Sequence, residues 1–482
     1  MKQNIGILLL FLCFSLACFS ENKESEIIVL KGKVSCCGKG IEGVVVTDGV
    51  TVCLTNKKGL YSIPVISTSR FVYISSPATY SVPVVESVPQ FFHSLTTREK
   101  SRKINFELEK IEGNDAKHGF IVWADPQVKT EEELPLLQEA VNDLSTLLKK
   151  HPNVPFHGLG CGDIVGDNTA LFDTIKSMLT PIGIPFYQSL GNHDMNYNGR
   201  SNESASSVFE NNFGPAYYSY NRGEIHYVVL NDVFYIGCDY FYIGYLPEKQ
   251  LSWLEKDLSF VKKGQTVVVA LHIPTALDES DLKAFSYSNI SKSLANKKAL
   301  YDILAPFQVH IISGHMHVNN NVIVASNIFE HNVSSVCGAW WQGPYAEDGT
   351  PKGYAVFEAD GSELKWYFKG IGKEKEYQFR AYAVGSNPEQ LEYITVNVWN
   401  WDPEWKVYWY ENGKRIGEME AYTGADPETA KVYADKDKLA YKWIQSQPTK
   451  HMFRAKPQSS SAKINIEVVD RFGNIYKKSF LQ

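Results

Sequence analysis

Several signatures are missing from this sequence, and each absence closes off a chemistry. It contains no GxxxxGK[ST] loop, no GxSxG elbow and no HExxH pair. P-loop nucleotide hydrolysis, serine-esterase chemistry and zincin proteolysis are therefore without their parts. No CxxC occurs among the eight cysteines, which argues against thiolate-held zinc. The 48 Lys and Arg are dispersed among 54 Asp and Glu, for a formal net charge of −6, with no basic stripe or Arg-rich arm. A nucleic-acid partner is accordingly not expected. Beyond residue 20 no run approaches the roughly 18 apolar residues that a membrane-spanning helix needs.

The N-terminus reads as a targeting segment. Lys2 supplies positive charge and Ile5 to Ala17 is almost uninterruptedly apolar, a length suited to a signal peptide over residues 1–20. Ser15-Leu16-Ala17-Cys18 fits lipoprotein processing, with Cys18 lipidated and attached to a membrane, and it also fits ordinary signal cleavage. Either way the expectation is export, to the periplasm, to the outer membrane as a lipoprotein, or to the cell surface. Export permits disulfides, and Cys53 could pair with Cys36 or Cys37; Cys161, Cys238 and Cys337 read as buried free thiols.

With 44% hydrophobic and 21% charged residues the chain has the makings of folded domains. Residues 27–108 are rich in Val, Ile, Thr, Ser and Tyr, punctuated by turns such as Asp48-Gly49, and predict a small β-sandwich. A charged linker follows to Lys117. From 118 to 330 strands alternate with helices, which predicts a layered α/β core. Leu137, Ala140, Val141, Leu144 and Leu147 follow helical spacing, as do Leu251, Leu254 and Leu258. Residues 331–482 are β-rich again, with an Asn412-Gly413 hairpin turn, and read as a second sandwich.

Five apolar strands of the middle region run into donor residues: Asp125-Pro126-Gln127, Gly162-Asp163 through Asp167, Gly191-Asn192-His193-Asp194, His272, and Gly314-His315-Met316-His317. Singly, a Gly-Asp pair is a turn and a lone His is structural. His-x-His is stronger, because on an extended segment period two points both imidazoles the same way. All five at strand ends, where α/β sheets bind ligands, make one site.

This ordered set resembles the calcineurin-like metallophosphoesterase superfamily, whose pattern is D-x-H, GDxxxD, GNH[DE], H and GHxH. The flanks are similar to the N- and C-terminal β domains of a three-domain bacterial branch, the first resembling transthyretin-like sandwiches. The resemblance implies a four-layer α/β/β/α sandwich flanked by two β-sandwich domains. It implies two divalent metal ions, one held by Asp125, Gln127, Asp163 and His317 and the other by Asp163, Asn192, His272 and His315. Hydrolysis of phosphate mono- or diesters by a metal-bridging hydroxide would follow. His193 would contact the phosphate and protonate the leaving oxygen, Asp194 would orient its ring, and Asp167 would brace the loop of Asp163 or simply make its turn. Gln127 departs from the pattern, standing where many members have His.

A donor set of carboxylate, amide and imidazole suits Mn, Fe, Zn, Co or Ni, and an amide in place of an imidazole favours Mn or Fe on that side. His226 and His310 read as packing or surface residues. Trp340 and Trp341 read either as cleft-lining or as core. The competing reading is a surface binding protein with a vestigial phosphoesterase domain. Decay of that kind predicts loss of Asn192, His193 or one of His315 and His317, and all are present.

Overall fold

The computed structural model describes residues 27–95, 103–113, 115–277, 286–459 and 461–481. The leader expected at residues 1–20, with Cys18, lies outside these. Among the described residues no helix is long and apolar enough to cross a membrane.

Two sheets form the centre. Strands β1 (Lys117–Trp123), β2 (Phe156–Gly160) and β3 (Phe186–Gln188) pair in parallel. The second sheet is built on β4 (Tyr218–Arg222), β5 (Ile225–Val229), β6 (Thr266–Ala270), β7 (Gln308–Ser313), β8 (Asn320–Ala325) and β9 (Ile328–Asn332). Its spatial order is β4-β5-β6-β7-β9-β8, parallel from β5 to β9.

Alternation along β1 explains the layering. Ile121 and Trp123 point into one core with Leu137, Ala140, Val141 and Leu144 of α1 (Leu134–Lys150). Phe120 and Val122 point into another core shared with Tyr227 and Val269 of the facing sheet. Phe120 stacks on Phe357 at 4.6 Å and meets Tyr227 edge-on at 5.5 Å, so aromatic rings fill the space between the sheets. Leu251, Leu254, Leu300 and Leu304, on helices α2 (Glu248–Leu258) and α3 (Lys297–Leu304), close the far side of the second sheet. The order of layers is α/β/β/α, as the resemblance implied.

The first sheet is completed from further along the chain than expected. Strands β10 (Gly353–Asp360) and β11 (Glu363–Gly370) pair antiparallel beside β1, giving the order β3-β2-β1-β10-β11. The division at 330 therefore does not mark the end of the central sheet. Two further four-stranded sheets, beginning at Phe379, pack around Val396, Trp405, Val407, Ile464 and Val468. Asn412 and Gly413 both have positive φ (49° and 83°), the backbone a tight hairpin turn requires, and they join Lys406–Glu411 to Lys414–Glu418.

The N-terminal sandwich packs its two sheets through Leu30, Val46, Ile63 and Ile74, and these share one core with the central sheets. Cys36, Cys37 and Cys53 are free thiols, so neither of the two pairings open to Cys53 is formed. Cys161 and Cys337 are buried as expected, but Cys238 is exposed. His226 is buried between Asn221 and Asp257, and His310 lies against His331, both in packing roles.

Candidate metal centre

Each predicted donor sits in the loop just past a central strand: Asp125 and Gln127 after β1, Asp163 after β2, Asn192 after β3, His272 after β6, and His315 and His317 after β7. The loops are forced into close approach. Asp125, Gln127, Asp163, His315 and His317 all have φ between 41° and 69°, a region non-glycine residues rarely occupy. Strain concentrated this way is characteristic of functional sites. It also corrects one expectation, since His315 and His317 lie on a bend past Ser313 and not on the strand itself. The motif glycines make room: a Cβ at Gly191 would lie 2.2 Å from Asp163 Oδ1, and one at Gly314 would lie 2.4 Å from Asp125 Oδ2.

Asp163 is central. Its Oδ1 accepts from the His193 backbone N–H at 2.8 Å and lies 3.4 Å from His272 Nε2. Ligand atoms of Asp163, His272 and His315 all lie within 4.8 Å of one another. Asn192 Oδ1 is 2.9 Å from His272 Nε2. On the other side His317 Nε2 is 3.7 Å from Asp125 Oδ1, and the Gln127 amide is 3.4 Å from Asp163 Oδ2.

The hydrogen bonds outside this cluster fix what faces inward. His272 Nδ1 is 2.7 Å from the Cys161 carbonyl, His315 Nε2 is 3.1 Å from that of Ser291, and His317 Nδ1 is 3.0 Å from that of Gly338. A nitrogen beside a carbonyl must carry its proton there, so each ring turns an unprotonated nitrogen to the centre. Burial keeps all three imidazoles neutral, holding His272 and His315 below the ordinary range and His317 down at about 4. Bare nitrogens of His315 and His272 then face each other at 3.2 Å with no proton between them.

The carboxylates are equally in want of a cation. Asp125 is fully buried, and burial together with Asp163 raises its carboxyl above the usual range. Among the described residues no lysine or arginine pairs with Asp125, Asp163 or Asp194. Buried Gln127 Oε1 has no hydrogen-bond partner. Buried carboxylates without a counter-ion, an orphaned amide oxygen and converging bare nitrogens fit divalent cations.

His193 stands at the edge of the centre, its side chain about one-third exposed. Its Nδ1 is 2.6 Å from Asp167 Oδ1, and its Nε2 is 4.0 Å from Asp163 Oδ2. Burial opposes its charging, but Asp163 and the bond with Asp167 outweigh it and push the imidazole up to about 9. The orienting carboxylate is therefore Asp167, which corrects the expectation that Asp194 would hold this ring. Asp194 instead accepts from the backbone N–H groups of Val165 (3.1 Å) and Gly191 (2.9 Å), bracing the loops of Asp163 and Asn192. Burial pushes its carboxyl up to about 8.

Other supports were not foreseen. Asp232 accepts from the backbone N–H of His272 at 3.1 Å and of Ile273 at 3.0 Å. It follows the apolar run of β5, so it carries the same strand-then-acid signal as Asp125. Trp341 is core, its indole donating to the Pro126 carbonyl at 2.9 Å, whereas Trp340 lies on the face of His317 at 4.3 Å.

A model described as calcineurin-like phosphoesterase matches residues 120–319. Models of the N-terminal and C-terminal parts of calcineurin-like phosphoesterases match 28–111 and 330–476. Comparison with curated proteins returned no match. Among solved structures, a dimetal phosphatase from Danio rerio is 17% identical, with 53% of this chain and 96% of that one covered and a TM-score of 0.37. A purple acid phosphatase from yellow lupin (Lupinus luteus) is 11% identical, with 72% and 68% covered and a TM-score of 0.40. A 5'-nucleotidase from Candida albicans is 12% identical, with 54% and 53% covered and a TM-score of 0.32.

Proposed function

We propose that this chain, which belongs to the calcineurin-like phosphoesterases and is a metal-dependent hydrolase of phosphate esters, works with two divalent cations that share Asp163. Asp125, Gln127 and His317 would complete one position, and Asn192, His272 and His315 the other. Cations held there supply positive charge to a phosphate and lower the pKa of an attacking water. The observation that carries the reading is the pair of bare imidazole nitrogens at 3.2 Å beside Asp163.

His193 is the residue for the leaving group. Asp167 accepts the hydrogen bond from Nδ1–H, so a proton on Nε2 is directed at the ester, where the departing oxygen needs it. Asp125 receives the backbone N–H of His315 at 3.0 Å, which fixes the two loops to each other whatever substrate is bound. Phosphate mono- and diesters both suit this arrangement, and an all-O,N donor set with Gln127 on one side favours Mn or Fe there.

The test is chelation and recovery. Metal-stripped protein should lose hydrolysis of p-nitrophenyl phosphate and its bis-ester, and added Mn should restore at least one activity. Undiminished turnover with no metal remaining would contradict the proposal.

Export belongs to the same reading, supported by Lys2 and the apolar stretch before Cys18. Fractionation should find the protein in the envelope or medium, and Cys18→Ser should release any membrane-held form. An unprocessed cytosolic product would refute it.

A further inference from the structure

A cleft of about 270 Å³ opens beside the metal centre, and part of its wall comes from the C-terminal region. His193, Asp167 and Lys129 line one side, and Trp340, Tyr441 and Trp443 line the other. Trp443 is 54% exposed although it is a tryptophan at the mouth of a cleft. It meets Trp340 at 4.3 Å and 78°, and Trp340 lies on the face of His317. Trp443 is thus two ring contacts away from a proposed metal ligand.

The wall is built, not incidental. Trp340 and Trp341 have consecutive positive φ values of 48° and 61°, a conformation bulky residues avoid. It turns the first indole to the cleft and the second to the core. The segment carrying Tyr441 and Trp443 is fastened to the same loop. Ala440 N–H donates to Gln342 Oε1 at 2.8 Å, Gln445 N–H to Glu347 Oε1 at 2.9 Å, and Ala339, Tyr433, Leu439 and Ile444 make a small core between them. Lys129 Nζ lies 5.8 Å from the Tyr441 ring centre. Glu133, also in the lining, is occupied as a cap, accepting from the Lys129 backbone N–H at 2.7 Å. An acyl chain would want apolar walls on both sides, whereas here only one side is aromatic and the other is polar. That asymmetry suits a flat ring with a polar edge.

Resting on the phosphoesterase reading above, we propose that Trp443 selects the substrate, which carries a flat ring, stacked on this indole, on the organic side of its phosphate. A nucleobase or the apolar face of a sugar would supply that ring.

The full-length Mn-loaded chain should be assayed with AMP, glucose 6-phosphate and glycerol phosphate. Stacking on an aromatic side chain is worth roughly 5- to 150-fold. Trp443→Ala should therefore lower kcat/KM by that factor for a ring-bearing ester, mainly through KM. Glycerol phosphate should be unaffected, and Trp443→Phe should recover most of the loss. A loss confined to AMP assigns the ring to a nucleobase, and one shared with glucose 6-phosphate assigns it to a sugar. Equal effects on all three esters, or none on any, would overturn the proposal. If no ester is turned over, the phosphoesterase reading fails separately, and calorimetric binding of the same compounds still decides. AMP or glucose 6-phosphate should then bind more tightly than glycerol phosphate in the wild type only, and no such difference would overturn the ring-stacking role.

Discussion

On one side of Asp163, His272 and His315 are each tied to a backbone carbonyl at the ring nitrogen facing away, at 2.7 and 3.1 Å. On the other side His317 is held likewise by Gly338, but its neighbour Gln127 is not. Its Oε1 has no partner and its Nε2 reaches only Asp163, at 3.4 Å. The two proposed half-sites are both largely buried, with His315 partly exposed, yet they are differently fastened. Where the chain carries an amide in place of an imidazole it gives up the outer hydrogen bond that fixes a ligand's orientation. A preorganised half-site should fill first, and the one containing Gln127 should be weaker and more easily exchanged.

The largest effect should come from the residue common to both halves. Asp163→Asn should cost p-nitrophenyl phosphate turnover more than the roughly 10²–10⁴-fold a general acid is worth. A smaller loss would mean the halves are not joined through this carboxylate.

His193 belongs to neither half, so its loss should spare metal content. His193→Asn should cost an alkyl phosphate roughly 10²–10⁴-fold, and a nitrophenyl ester, whose leaving group departs without a proton, far less. The difference matters because loss of phosphate contact slows both substrates alike. Equal losses would leave His193 as a phosphate clamp only.

Asp167 acts through His193, so its removal should cost less than the loss of His193 itself. Asp167→Asn should reproduce the bias against alkyl esters. It should also move the alkaline limb of the rate profile to lower pH, because the carboxylate raises the His193 pKa and its removal lets the proton go sooner. An unmoved limb would break the assignment. Asp194→Asn, bracing loops instead, should lower metal content or stability without that bias.

The smallest effect should come from Gln127. Gln127→His should tighten the weaker ion by about tenfold and leave the tighter ion unchanged, restoring the usual imidazole. Weakening of both ions equally in a calorimetric titration would show that the half-sites do not differ as described.

Much of this centre was readable because strand ends are local. An apolar run stopping at Asp125, Asp163, Asn192, His272 or Gly314 announces itself within a few residues. What needed the structure was pairing at long range. Gly353–Gly370 looks like any β hairpin, and nothing in it says that it closes the sheet beside β1. Asp194 is next to His193 in sequence, but the turn Asn192–Asp194 sends its carboxylate back under Gly191, while Asp167 arrives from another loop. Tyr441 and Trp443 follow the central strands by more than a domain's sheet and carry no local motif. Their place in the cleft is set by the contacts of Ala440 and Gln445 with the loop beyond β9.

Two cations that share the Asp163 carboxylate can be counted. Elemental analysis of the Mn-reloaded wild type should return two ions per chain, and Asp163→Asn, folded as judged by circular dichroism, at most one. A wild type holding fewer than two, or a variant holding both, would contradict that sharing.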